Sequence, residues 1–132
     1  MTTLYLTRTF APRTIRWYQP MGFNGGRRLP VDVHSDDEAF VIEAAVPGLK
    51  ADDLKIEILD NVVTLSGAIE SKEDRPEYLV HELETGDFCR SLRLPDPIDA
   101  AKAEAKVEDG VLSLRIPKAE EAKPKTIKVK AH

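Results

Sequence analysis

An Asp109-Gly110 pair between two alternating segments is the feature of this sequence that most constrains its fold. Apolar residues alternate with charged ones over 103–108, and apolar residues alternate with polar ones again over 111–116. Asp-Gly accepts the positive φ angles of a tight two-residue turn, and a period of two places alternate side chains on one face of a strand. The sequence therefore predicts a β-hairpin over 103–116, with one face of each strand in the core.

The alternation also runs through the sequence N-terminal to the hairpin, from Leu29 onwards. Polar, Gly or Pro turns interrupt it about every ten residues, which is typical of antiparallel sandwiches. The predicted strands cover 31–34, 40–46, 54–58, 63–67, 79–84 and 88–94, with a further short strand considered around Tyr78. Together with the two strands of the hairpin, these six runs predict an all-β antiparallel sandwich of about eight short strands.

A helix is an alternative only around 99–106, where Ala and Lys favour helix formation. Such a helix would remove the first strand of the hairpin that Asp109-Gly110 predicts. The strand interpretation is therefore preferred.

The two ends of the chain differ in composition from the region of predicted strands. Residues 1–29 hold five of the eight aromatic residues and five arginines, with no acidic residue and no persistent period. Bulky apolar side chains in a segment without its own fold indicate contact with another molecule. Residues 119–132 are mostly Lys, Glu, Ala and Pro, but Ile127 and Val129 form a β-branched pair suited to another sheet's edge. The predicted division is a variable arm (1–29), a β domain (30–118) and a tail (119–132).

Length, charge and cysteine content narrow the class of protein. A length of 132 residues predicts one domain. The net charge is −4, but it is unevenly distributed along the chain. Residues 30–118 hold 21 acidic and 10 basic residues, a poor platform for nucleic acid, whose phosphates need clustered cations. The single cysteine, Cys89, fits a reducing compartment, and no run approaches the roughly 20 apolar residues of a membrane helix. With no secretory signal pattern, we expect a cytoplasmic protein without nucleic-acid binding or a membrane span.

No group of residues has the spacing of a catalytic, cofactor or metal site. His34, His81 and His132 are far apart, and none is at metal-ligand spacing with Cys89. A cysteine nucleophile needs a base and a lowered pKa, and one neighbouring arginine is weak support for either. The acidic cluster 36–38 is most simply solvated charge that blocks pairing of sheet edges. We therefore predict no enzyme activity, no cofactor and no metal.

Arg90 breaks the alternation of the strand predicted over 88–94. It shares a face with Phe88, Leu92 and Leu94, so the pattern places a guanidinium on an apolar side. Because a buried unpaired charge is very costly, Arg90 should have a carboxylate partner or lie at a contact between subunits. The alternative is a strand end or local irregularity that lets the guanidinium reach water.

Four motifs follow one another along the chain: Ala45-Val46-Pro47-Gly48, the G-D-F-C-R-S-L-R-L-P run at 86–95, the A-K-V-E-D-G-V-L run at 105–112, and Ile127-Lys128-Val129. In order and spacing they resemble landmarks of the small heat-shock proteins, the α-crystallin or Hsp20 family, bacterial type. Asp109 stands where the family usually has Asn. The resemblance covers about residues 30–130 and does not reach the arm.

The resemblance implies an immunoglobulin-like sandwich and an ATP-independent holdase chaperone that binds partly unfolded proteins and suppresses their aggregation. In bacterial-type members, a short strand in the 70–78 loop swaps onto a partner's sheet to form a dimer. The resemblance places Arg90 and Tyr78 at that interface. The aromatic arm, through Phe10, Trp17, Tyr18 and Phe23, is the candidate client-binding segment.

The resemblance also implies a homo-oligomer built from dimers. The tail residues Ile127 and Val129 would dock in a groove of a neighbouring subunit. The implied groove residues are Leu54, Ile56, Ile58, Ala103, Ala105 and Val107.

A p23-type co-chaperone is the competing interpretation, since it shares the sandwich but binds one dedicated partner. Such domains lack the Ile-x-Val tail and usually lack the long charged loop after Gly67. An enzyme on a sandwich is a third class, and no residues in the sequence support it.

Overall fold

Eight short strands run through residues 15–18, 29–70 and 77–131, the ranges that the structure, a computed structural model, describes. They are β1 (Arg16–Tyr18), β2 (Val31–Ser35), β3 (Ala39–Ala45), β4 (Leu54–Leu59), β5 (Val62–Ile69), β6 (Gly86–Arg93), β7 (Glu104–Glu108) and β8 (Val111–Pro117). Three-residue 3₁₀ turns occur at Ala51–Asp53, Ala100–Lys102 and Glu120–Ala122. A membrane-spanning helix is absent from the described ranges.

The strands form two antiparallel sheets that share one apolar core. One sheet has the order β1-β6-β5-β4 and the other has the order β2-β3-β8-β7. Alternate residues of both sheets point into the core, as expected for two sheets packed face to face. The core cluster comprises Leu29, Phe40, Ile42, Ala44, Val46, Val63, Leu65, Phe88, Leu92, Leu94, Leu112, Leu114 and Ile116. The prediction of an all-β, immunoglobulin-like sandwich is confirmed.

The hairpin formed by β7 and β8 follows the sequence prediction closely. Asp109 and Gly110 have φ angles of 50° and 77°, and Glu108 pairs with Val111 across the turn. Two consecutive positive φ angles are the signature of the turn that matches the twist of the flanking strands. The helical alternative over 99–106 is wrong, because only Ala100–Lys102 forms a 3₁₀ turn before β7 begins.

The segment over 77–85 differs from the prediction. The strand predicted at 79–84 and the short strand considered around Tyr78 are both absent, and the next strand, β6, begins at Gly86. Leu79, Val80 and Leu83 are exposed. A strand needs a partner to satisfy its backbone hydrogen-bonding groups, and alternation alone does not supply one. The segment therefore presents apolar side chains without belonging to either sheet of this chain.

β5 extends two residues beyond its predicted end at Gly67. In the register of β5 and β6, Gly67 lies opposite Phe88, and the pairing continues to Ile69 and Gly86. A Cβ atom added at Gly67 would lie 2.7 Å from Cζ of Phe88 and 2.9 Å from the carbonyl oxygen of Asp53. Gly67 is thus a position inside a strand where a ring packs against the backbone, and not a strand terminator.

β1 lies in the predicted arm and has no counterpart among the predicted strands. It pairs antiparallel with the last three residues of β6. Three residues are too few for alternation to be recognised in a sequence. Leu29, at the predicted boundary of the arm, is 1% exposed and belongs to the core.

Candidate interaction surfaces

β4 and β7 are the edge strands on one side of the sandwich. On the other side, Nη1 of Arg90 in β6 donates a hydrogen bond of 3.1 Å to the carbonyl oxygen of Leu29, just before β2. This bond joins the β6 side of one sheet to the β2 side of the other. In an aligned sandwich, β4 and β7 therefore end their sheets together on the opposite side.

Apolar side chains line both of these edge strands. The six predicted groove residues lie here, three on β4 and three on or next to β7: Leu54, Ile56, Ile58, Ala103, Ala105 and Val107. Five of them are half-buried and pack against the core cluster. Ala105 is exposed, since its methyl group is too small to close the space between its neighbours. We call the apolar residues of β4 the β4 row, and those on or next to β7 the β7 row. Both rows are therefore partly open to solvent.

Ion pairs occupy the outer faces of the same two strands. Lys55 Nζ lies 2.8 Å from Glu57 on β4, and Lys106 Nζ lies 3.3 Å from Glu108 on β7. The hydrogen bond to Glu57 raises the pKa of Lys55 above its ordinary value. Exposed pairs of this kind add little stability, but charge on an edge strand discourages unspecific pairing with other sheets.

The outer face of the second sheet holds an open depression of about 450 Å³ next to β7. It is lined by Val41, Glu104, Ala105, Lys106, Ser113 and Arg115. Its lining is mostly apolar but includes charged side chains of both signs, Glu104, Lys106 and Arg115, whereas the inward residues of β4 and β7 are all apolar.

The tail leaves the sandwich at a well-anchored point. Lys118 is 4% exposed; its Nζ donates to the carbonyl oxygen of Asp36 at 2.7 Å and lies 3.8 Å from Asp96. The same ammonium lies 5.0 Å from the ring centroid of Phe40, a favourable cation–π distance. Beyond it, Lys123 pairs with Glu38 and Glu120. The chain is thus held to the sandwich as far as Lys123.

Ile127 and Val129 lie beyond that anchor and are 83% and 74% exposed. Residues 124–131 form no strand or helix. In an extended segment, residues two positions apart point to the same face, so this pair forms a small exposed apolar face. The tail pair is therefore available for contact with another surface.

Arg90 and Tyr78, the predicted interface residues, lie in different kinds of structure. Arg90 is half-buried on β6, opposite Leu65, and makes the bond to Leu29 described above. Tyr78 is half exposed on the 77–85 segment, where its ring lies 4.5 Å from that of His81. The guanidinium on the apolar side thus has a backbone acceptor within its own chain.

Comparison with protein-family models finds the Hsp20/alpha crystallin family over residues 32–130, which includes both edge strands and the tail pair. The chain belongs to the Hsp20/alpha crystallin family. It is 37% identical over 115 residues to the 18 kDa antigen 2 of Mycobacterium avium, covering 86% of this chain and 83% of that protein. It is 38% identical over 97 residues to the 17.4 kDa class I heat shock protein of Arabidopsis thaliana, covering 71% and 62%.

Solved structures of the Hsp20 family share its architecture. A small heat-shock protein from Xylella fastidiosa superposes with a TM-score of 0.67 at 27% identity, covering 81% of this chain and 100% of the other. Family membership implies a chaperone role, and Hsp20 proteins form oligomers and bind client proteins. The motifs over 45–48, 86–95, 105–112 and 127–129 therefore identified the family correctly.

The candidate client-binding residues of this Hsp20 chain lie in the arm. Phe10 and Phe23 are outside the described residues. Trp17 and Tyr18 are in β1, where their backbone positions pair with Leu92 and Ser91. The family match begins at residue 32 and does not include the arm.

The titratable groups of the described ranges form no catalytic or metal-binding arrangement. No three His, Cys, Asp or Glu side chains within 15–18, 29–70 and 77–131 come together as a metal ion requires. Burial raises the pKa of the Cys89 thiol, and the nearby Glu57 carboxylate adds to the shift. A raised pKa disfavours the thiolate that a nucleophile needs.

Sequence reasoning did not find two features of these surfaces. The first is the exposure of Leu79, Val80 and Leu83, because the alternation over 79–84 predicts a strand with one buried face. The buried Lys118 gave no signal, since a lysine at a strand end is ordinarily solvated. Only the fold brings Asp36, Phe40 and Asp96 around its ammonium group.

Proposed function

We propose that this protein is an ATP-independent holdase chaperone, which binds partly unfolded proteins and suppresses their aggregation. The observation that carries the proposal is the exposed pair Ile127 and Val129, in an Hsp20 chain whose β4 and β7 rows are partly open. Weak self-association covers apolar surface until heat or a client shifts the equilibrium. The mechanism involves no cofactor, no metal and no catalytic step.

The tail pair docks on the β4 and β7 rows of a neighbouring subunit. Ile127 and Val129 are two positions apart, so in an extended tail they point to the same face. Full burial of one such side chain contributes about 1.5–3 kcal/mol. Two of them give a contact strong enough to build an oligomer, yet weak enough to open and close reversibly.

The dimer forms through the other side of the sandwich. A short strand in the 70–78 loop adds to a partner's sheet, and the exposed Leu79, Val80 and Leu83 directly after that loop add apolar contact. Residues 71–76 of the loop lie outside the described residues. Arg90 and Tyr78 lie at that contact in the proposal. Arg90 serves there as a planar donor, since a guanidinium suits shared hydrogen bonding at an interface.

Clients bind to the arm through Phe10, Trp17, Tyr18 and Phe23. Aromatic side chains recognise exposed apolar surface without reading a sequence. The acidic domain over 30–118 keeps the loaded complex in solution and offers no platform for nucleic acid. The single, half-buried Cys89 is compatible with a cytoplasmic location.

An aggregation assay tests the proposal. A heat-labile enzyme is heated with a substoichiometric amount of the protein, without nucleotide, and light scattering is recorded. We expect scattering to rise more slowly than in the control with an equal mass of an inert protein, and ATP to leave the result unchanged. Scattering that rises as fast as in the control would refute the holdase activity.

A further inference from the structure

β1 is the shortest of the described strands and is weakly held. It contributes three residues, and within the described ranges it pairs with β6 alone. Its register sets Arg16 directly opposite Arg93. Like charges at directly opposed positions destabilise a strand pair. The pairing of β1 is therefore marginal by its length and by its register.

β6 offers more edge than β1 covers. On one side, all eight residues of β6 pair with β5, from Gly86 to Arg93. On the other side, β1 pairs only with Ser91, Leu92 and Arg93. No other strand within the described ranges pairs with that side. A longer extended segment could therefore follow this edge further than β1 does.

The segment that lies on the edge shows which chemistry fits there. Ile15, just before β1, is half-buried and packs against the core cluster. Trp17 follows two positions later, and its partner position in the register is the buried Leu92. Apolar residues at positions 15 and 17 thus occupy this edge. The backbone hydrogen bonds of an added strand do not depend on its sequence.

We propose that the outer edge of β6 is a strand-addition site for extended apolar segments of client proteins, and that β1 is its internal occupant. A client segment of five or more residues displaces β1, since it pairs over more of β6 and places no arginine opposite Arg93. Displacement also frees Trp17 and Tyr18 from their pairing. The proposal rests on the proposed holdase function and assigns it a second binding surface.

A charge-exchange cycle in the full-length chain tests the competition. Arg16→Glu and Arg93→Glu each place opposite charges across the pair, and the double variant restores like charges. We expect each single variant to slow hydrogen exchange of the β1 amides and to reduce aggregation suppression about three- to tenfold. The double variant should recover the wild-type values. Trp17, the only tryptophan, reports β1 through its fluorescence.

The outcomes of this cycle are distinct. An effect of net charge alone would grow steadily from the single variants to the double variant, and that result would overturn the proposal. Unchanged suppression in both single variants, with β1 measurably more protected, would overturn it as well. If even the wild type fails to suppress aggregation, the holdase function fails instead, while the exchange rates of β1 still measure its release.

A peptide probe locates the site. The probe is a labelled peptide that copies residues 14–19, and its control carries methyl groups on alternate backbone nitrogens, which blocks strand addition. We expect the control to bind at least about tenfold more weakly, and the unmodified peptide to slow exchange of the amides over 86–93. Equal binding of both peptides, or new protection only over 54–59 and 104–108, would contradict the site. Release of β1 on self-assembly without any peptide would show that a second copy is the occupant, and would overturn the proposal.

Discussion

At the scale of single residues, Gly67 marks a position where the core leaves no room for a side chain. A Cβ atom there would lie 2.7 Å from Cζ of Phe88 and 2.9 Å from the carbonyl oxygen of Asp53. We expect Gly67→Ala to destabilise the fold by about 1–3 kcal/mol, the usual range for overpacking. Denaturant unfolding at equal protein concentration measures the difference.

The double variant Gly67→Ala/Phe88→Leu provides the control for this prediction. Because leucine removes the ring atoms nearest to residue 67, Phe88→Leu should cost less stability when combined with Gly67→Ala than it costs in the wild type. Additive effects of the two changes, or an unaltered unfolding midpoint for Gly67→Ala, would contradict the packing described for this position.

Asp36 gives the stability of the fold a dependence on pH. The backbone N–H groups of Glu38 and Ala39 donate to Oδ1 of Asp36 at 2.8 Å each, and these bonds lower its pKa below the usual 3.8. A lowered pKa in the folded state stabilises the fold above pH 3.8. That contribution is lost as pH falls through the lowered value.

We therefore expect Asp36→Asn to lose less stability than the wild type as the pH is lowered from 5 to about 2. Thermal unfolding over this range measures the effect. Asp37→Asn removes the same charge one residue away, without those two hydrogen bonds, and serves as the control. Parallel pH profiles for Asp36→Asn and the wild type would contradict the role of these bonds.

At the scale of elements, the proposed docking joins the tail of one subunit to the β4 and β7 edge strands of another. We expect Ile127→Ala/Val129→Ala to reduce the assembly to dimers, because the double change removes most of the apolar area that the tail can bury. Ala105→Phe should have the same effect from the other side, by filling the open middle of the β7 row. Light scattering coupled to size separation measures the mass.

Lys128→Ala is the matched control for the tail, since residue 128 alternates to the other face of an extended segment. It should leave the mass almost unchanged. A mass unaffected by the double tail variant would refute docking through Ile127 and Val129. Loss of mass in the control as well as in the other two variants would indicate an unspecific effect.

The elements that sequence reasoning predicted correctly depend on neighbours in sequence. The β7–β8 hairpin is such a case, because Asp109-Gly110 fixes the turn and the alternation fixes both faces. The predicted end of β5 at Gly67 was wrong, since the reason for that glycine, the ring of Phe88, comes from the next strand. β1 escaped detection because its pairing with β6 spans over 70 residues of sequence.

The 77–85 segment shows the limit of such reasoning most clearly. Its alternation is that of a strand, yet it pairs with neither sheet of the described residues. Periodicity reports which face of a segment is apolar, but the existence of a partner edge is a property of the assembled fold. The candidate groove, in contrast, came from the family resemblance, and the fold places five of its six residues half-buried against the core.

At the scale of the whole molecule, charge is distributed unevenly among arm, domain and tail. The arm carries five arginines and no acidic residue, whereas residues 30–118 carry 21 acidic and 10 basic residues. Basic ends and an acidic domain attract one another between subunits, and salt screens such attraction. The tail carries Lys125, Lys128 and Lys130 beside its apolar pair. In the proposed docking, these charges favour the approach of the tail to an acidic neighbour before the apolar contact forms.

Isolation of a soluble complex with a client tests the proposed holdase activity. A heat-labile client is heated with an excess of the protein in the absence of nucleotide, and the supernatant is separated by size with light-scattering detection. We expect client and protein to elute together, at a mass above that of the unloaded assembly. A client found only in the pellet, with the mass of the protein unchanged, would contradict it.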